Sequence, residues 1–256
     1  MTSNSRANPG RYQSKFSDGN TGINDKILHT IIGNKLNSFT PLTYNDTRDF
    51  IYQIMDSGET EFIKDFIKKV FAKATIEELY CGLFAKLIAE IAHKYPVMYE
   101  EMARYHGEFL HIFNDVQVAG GGADTSQAGE SEYADLVKKK QYRMGYGHFL
   151  SELAGQNALE KTQLFAMVTT VMDKIWEFSN EPEKTKTVEE FIDCIVRLTK
   201  SLRDRSPVFF RSVKEELSRI TLEKTTALIT PPSAVKYASL SNKGRFGMMD
   251  YRDLIV

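Results

Sequence analysis

Several things are scarce in this sequence, and each scarcity closes off a class of protein. Only two cysteines, Cys81 and Cys194, occur in 256 residues, with no C-x-x-C and no histidine at ligand spacing. A disulfide framework or a zinc ribbon is not expected, and a reducing, cytoplasmic setting is. No apolar run approaches the roughly 18–20 residues that span a bilayer, so no membrane segment is expected. The opening stretch MTSNSRANPGRYQSKFSDGNTG has no apolar centre and does not read as a secretory signal. An excess of one charge is missing too. Thirty-three Lys and Arg stand against 34 Asp and Glu, a net charge of −1, which removes a globally basic nucleic-acid arm and leaves room for a local basic face. No segment alternates apolar and polar residues as a half-buried strand does.

What is present is helical periodicity. In TEFIKDFIKKVFAKA, Phe62, Ile63, Phe66, Ile67, Val70 and Phe71 form two adjacent columns spaced by four, a broad apolar stripe with lysines behind it. Leu79, Tyr80, Leu83, Phe84, Leu87, Ile88 and Ile91 repeat the pattern until Pro96 ends it. The same reading along the chain predicts helices over 25–37, 43–57, 60–74, 76–94, 97–115, 132–154, 158–178, 188–202, 207–222 and 243–255. Thr60, Thr187 and Ser241 or Asn242 are the expected caps. Most connections are short, so successive helices should pack antiparallel. The expected fold is all-α: a HEAT-like, right-handed superhelical stack of about five antiparallel helix pairs over residues 24–256. Residues 1–23 read as a disordered polar arm and 118–132, with three consecutive glycines, as a flexible insertion. Trp176, on a stripe with Val168, Val171, Met172 and Ile175, is expected in the core.

Candidate chemistry is sparse. Glu90-x-x-His93 and Glu108-x-x-His111 have the spacing of di-iron motifs, but on antiparallel neighbours they fall roughly 13 Å apart along the axis, too far to share a metal. His106 and His111 are five apart, not four, so a zinc-protease motif is missing, as are a P-loop and a nucleophile elbow. No catalytic residue, metal or cofactor is assigned. Two basic clusters remain: Lys138, Lys139, Lys140 and Arg143, and Arg197, Lys200, Arg203, Arg205, Arg211 and Lys214. Such clusters are either ordinary solvated faces or contacts for phosphates or acidic protein. Tyr142 and Tyr146, interleaved with the first, either stack on bases or lie inside.

Four short pieces, in order, resemble the middle domain of eukaryotic translation initiation factor 4 gamma, a HEAT-repeat scaffold. They are IIGNKLNSFT, with the N-K-L of Asn34, Lys35 and Leu36; FIKKVFAKATIEELYCGLFAKLIAEI; KKKQYRMGYGHFLSEL, with Gly145, Phe149, Leu150, Glu152 and Leu153; and SNKGRFGMMDYRD, with Arg245, Phe246, Asp250, Asp253 and the following Leu254. The resemblance spans roughly residues 25–255, and the insertion at 118–132 sits where the family has one. Tyr146 stands where the family has asparagine, Ile255 where it has arginine, and Gly247 interrupts the last helix signature.

The resemblance implies a non-enzymatic scaffold that clamps and activates a DEAD-box RNA helicase of the initiation factor 4 A type. An adaptor with the same domain acting in RNA decay, splicing or translational repression is the alternative. By position, Asn34 and Lys35 at one end and Arg245, Phe246, Asp250 and Arg252 at the other would touch the helicase. Phe246 also carries a core reading, as the seal of the last repeat. The implied sequence-independent RNA contacts would fall on Lys138, Lys139, Lys140, Arg143, Arg203 and Arg205. The family's Y-x-x-x-x-L-Φ motif for a cap-binding protein is missing, so such a partner would need an atypical contact in the N-terminal arm.

Overall fold

A computed structural model describes residues 21–113, 130–231 and 236–256. Ten α-helices account for nearly all of them: α1 (Thr21–Asn37), α2 (Tyr44–Asp56), α3 (Ile63–Ala74), α4 (Cys81–Lys94), α5 (Val97–Phe109), α6 (Glu130–Gly155), α7 (Lys161–Asn180), α8 (Thr185–Arg205), α9 (Pro207–Ile229) and α10 (Asn242–Ile255). No strand occurs among the described residues. Most of the arm at 1–23 and of the insertion at 118–132 lies outside the described residues. The edges of both are helical, since α1 begins at Thr21 and α6 at Glu130.

The helices form two rows. Odd-numbered helices touch odd ones in the order α1, α3, α5, α7, α9, and even ones touch even ones in the order α2, α4, α6, α8, α10. Direction can be read from cross-contacts. Arg48 reaches Glu90 while Lys94 reaches Asp56, so α2 and α4 run the same way. Along α6 and α8, Arg143 meets Glu190, Ser151 meets Ser201 and Glu152 meets Arg205, again a parallel pair. Glu189 with Lys243 and Lys200 with Asp250 give the same sense for α8 and α10. In the odd row, Lys161 bonds the Ser212 carbonyl and Lys224 pairs with Asp173. Parallel rows joined by short turns, a single residue between α8 and α9, make each successive pair antiparallel. This is the all-helical stack the sequence predicts.

Local chemistry sets the turns. Ser241 is extended (φ −75°, ψ 167°), and its hydroxyl accepts from the Gly244 N–H at 3.0 Å, the expected N-cap of α10. Pro207 opens α9, where its missing N–H costs nothing. The Gln163 side chain accepts from the Glu160 backbone N–H at 3.1 Å and steadies the start of α7. Two expected caps are not caps. Thr60 sits in a turn before Phe62, and its carbonyl accepts from Ile63. Thr187 is buried inside the first turn of α8, which begins at Thr185.

The apolar stripes meet between the rows in one continuous core that includes Phe66, Phe71, Phe84, Phe149, Phe178 and Phe191. Three sequence expectations fail at its margin. Leu79 is 86% exposed, because Glu78–Tyr80 form a 3-10 turn before α4 and leave the helical register. Trp176 is only half-buried and meets Tyr237 edge-on at 5.8 Å. Gly247 does not interrupt α10. The helix passes through it, and a Cβ there would stand 2.6 Å from Ile192 Cγ2, so the glycine lets α10 approach α8 closely.

Candidate partner-binding surfaces

α10 lies across α8 and α9 and closes one end of the stack. Met248, Tyr251 and Ile255 face inward, and the Tyr251 hydroxyl lies 3.2 Å from Thr221 Oγ1. Between these inward positions the helix presents Phe246, Met249, Asp250 and Asp253 to solvent. Phe246 is 67% exposed, so the core-sealing reading is corrected: Tyr251 seals this end, and Phe246 stands outside it. Asp250 is exposed and 3.6 Å from Lys200. Arg252 pairs with Asp253 at 3.1 Å. Arg245 is half-buried, with its Nε unpartnered among the described residues. Met249 is the residue that sequence comparison passed over. Its place three positions after Phe246 was the available signal, since that spacing shares a helix face.

Asn34 and Lys35 sit at the other end, in the last turn of α1. Asn34 is exposed, and its carbonyl accepts from the Ser38 hydroxyl at 3.0 Å. Lys35 reaches across to Asp46 at 2.6 Å, and its ammonium lies 5.0 Å from the Phe50 ring centroid. With five helices per row at 8–10 Å spacing, the first and last pairs stand roughly 30–40 Å apart along the row. The structure therefore keeps the two candidate helicase faces separate.

The basic residues divide differently from their sequence clusters. Lys138 and Lys140 are exposed and Lys139 partly so, on the early turns of α6. Arg143 is not on that surface. It is 5% exposed, and its guanidinium donates to Glu190 Oε1 at 2.9 and 2.6 Å, an ion pair that ties α6 to α8. This removes Arg143 from the RNA-facing set, because a buried guanidinium already paired with a carboxylate cannot meet a phosphate. Arg203 pairs with Asp204 at 2.8 Å and Arg205 with Glu152. Lys140 lies level with Glu190, while Arg205 is fifteen positions further along α8. At 1.5 Å per residue the two basic groups are about 20 Å apart and do not form one patch.

Between α6, α8 and α10 lies a cleft of about 360 Å³ lined by Lys140, Met144, Lys186, Glu189, Glu190 and Arg197, among others. Glu189 accepts from the Ser241 hydroxyl at 2.6 Å and from Lys243 at 2.9 Å, and these bonds hold its carboxyl below the usual glutamate range. Lower on α6, the His148 and Arg205 contacts do the same for Glu152.

The histidine and cysteine candidates have structural settings. Glu90 is engaged by Arg48 and, more loosely, Lys86; Glu108 is engaged by Arg104. Among the described residues no group of three His, Cys, Asp or Glu side chains is placed to hold a metal. Burial pushes both cysteine thiols up to about 12. His106 and Tyr146 are both buried and hydrogen-bonded to each other, which places Tyr146 inside and not on a stacking surface. Burial drives the His106 imidazole down to about 4, so it is neutral in the native state. Among the described residues no helix is long and apolar enough to cross a membrane. No family model matches the chain.

Proposed function

We propose that this chain is a non-enzymatic translation-initiation scaffold, of the kind built on the middle domain of initiation factor 4 gamma. In this reading it binds and activates a DEAD-box RNA helicase and also contacts RNA. The observation that carries the reading is the exposed stripe of α10, where Phe246 stands free beside Met249 and Asp250 on a helix whose inward face is fully packed. An exposed aromatic flanked by carboxylates suits a partner surface with apolar and basic groups. The four motifs that carry the resemblance occur in family order along an all-helical stack. Asn34 and Lys35 at the far end supply a second contact.

A stack touching both domains of a helicase from opposite ends acts by differential binding. It favours the domain spacing that fits both contacts, and it shifts the helicase population only by its preference for that spacing. The RNA contribution belongs to Lys138, Lys139 and Lys140 in this reading, with Arg203 and Arg205 a separate group, each in close contact with a carboxylate.

The test is ATPase stimulation of an initiation factor 4 A type helicase, together with co-elution of the two proteins on size-exclusion chromatography. Loss of both with the folded chain would overturn the proposal. Recovery of a decay or splicing helicase from extract, with no initiation factor, would move the chain to the adaptor alternative.

A further inference from the structure

The first helix pairs carry a charged surface that the helicase reading does not use. α1 and α3 lie side by side in the odd row. A groove of about 460 Å³ between them is lined by His29, Glu61, Lys64, Asp65, Lys68 and Lys69. Part of this set is internally satisfied. His29 Nδ1 is 2.7 Å from Asp65 Oδ2, and Lys69 Nζ donates to the same oxygen at 2.5 Å and to the His29 carbonyl at 3.1 Å.

Lys64 and Lys68 are different. Both are exposed, and neither has a hydrogen bond or ion pair with any described residue. They are four apart, so they stand about 6 Å from each other on one face of α3. Like charges at that spacing repel, and neither lysine has a carboxylate within ion-pair distance among the described residues. On the α1 side, Gly33 is one turn beyond His29 and so on the same face. No atom lies within 4 Å of where its Cβ would be, so a partner backbone can come close.

We infer that this groove docks an acidic helical segment of a partner protein, whose carboxylates at four-residue spacing meet Lys64 and Lys68 while its backbone runs past Gly33. Charge complementarity sets the sign of the partner. The spacing of the two lysines matches the spacing of side chains on a second helix. A polynucleotide suits the groove less well. No Phe, Tyr or Trp is among the lining residues named above to stack on a base.

The experiment uses the full chain and fluorescence anisotropy. The probes are a labelled alanine-based helical peptide with glutamate at every fourth position, a peptide of the same composition with its glutamates consecutive, and a uridine oligomer. The spaced peptide should bind best and weaken as salt is added. Lys64→Glu/Lys68→Glu should reduce its affinity roughly tenfold or more with an unchanged circular-dichroism spectrum. Lys186→Glu/Arg219→Glu, at exposed cations elsewhere on the surface, should leave it unchanged. If the double reversal perturbs folding, Lys64→Gln/Lys68→Gln replaces it, with a partial loss expected. Absence of peptide binding, affinity indifferent to both double variants, or uridine binding that depends on Lys64 and Lys68 without peptide binding would each overturn the inference.

Discussion

Gly145 and Gly33 are both helical glycines, and the surroundings of each give opposite expectations for the same change. A Cβ on Gly145 would stand 1.8 Å from the carbonyl oxygen of Thr75, a backbone atom that cannot rotate aside. Gly145→Ala must push α6 off the turn after α3, and should cost about 1–3 kcal/mol or more in urea unfolding. Gly33→Ala meets open space in the middle of α1 and should stabilise by about 0.5–1 kcal/mol, because alanine loses less backbone entropy in a helix. Equal unfolding midpoints for the two variants would show that α6 does not make this close approach. Arg143 makes a related point about charge. Its neighbours Lys138 and Lys140 are exposed, whereas its own guanidinium is buried against Glu190. Arg143→Met should therefore lose about 3 kcal/mol of stability by leaving Glu190 short of its partner. Lys138→Glu should leave stability nearly unchanged and weaken RNA binding. A sequence cannot distinguish these roles within one basic run, because the carboxylate that claims Arg143 lies 47 positions away on another helix.

The link between α5 and α6 rests on a titratable pair. His106 and Tyr146 bond across the segment at 114–129, and burial keeps the imidazole neutral, at about 4 against an ordinary 6.5. Between those two values the unfolded chain binds a proton that the native state refuses, so stability rises with pH. The contribution is complete above pH 6.5 and falls by about 3 kcal/mol as pH drops to about 4. His106→Gln keeps a polar partner for Tyr146 and removes the titration, so its stability should vary less between those pH values than that of the unsubstituted chain. Superimposable pH profiles would remove His106 as the cause. Glu152, held below its usual range by His148 and Arg205, acts in the same direction at lower pH: its contribution is present above about 4.5 and is lost as the pH falls. The ten described helices were legible from the sequence, most of them because a stripe repeating at 3.6 residues survives wherever a helix packs on one side. Helix starts were less legible. The apolar pattern ran on through Leu79, where the chain makes a 3-10 turn, and Thr60 has the chemistry of a cap without its position.

Short connections and broad stripes were enough to anticipate two packed layers, but not which surfaces the layers would leave open. That depends on contacts between helices far apart in sequence, such as Lys200 with Asp250 or Lys35 with Asp46. The sequence also read Phe246 two ways, as seal and as contact. Only the placement of Tyr251 beneath it, with its hydroxyl beside Thr221, assigns the sealing role elsewhere. At this scale the proposed function makes its most exacting claim: the two ends of the stack engage one helicase at once. Lys35→Glu and Asp250→Arg alter exposed or half-exposed charges at opposite ends, each already within reach of an opposite charge, so each should weaken helicase binding only about threefold to tenfold. The sites are much further apart than the 7–10 Å over which substitutions couple directly, so in a clamp the double variant should lose the product of the two factors. Circular dichroism should be unchanged in all three, since neither side chain is part of the core. The measurement is a titration of labelled helicase with each single variant and with the double. A double variant no weaker than the worse single would mean that only one end is touched. A stack held at one end has no means of preferring one helicase geometry over another, and ATPase stimulation would then need a different explanation.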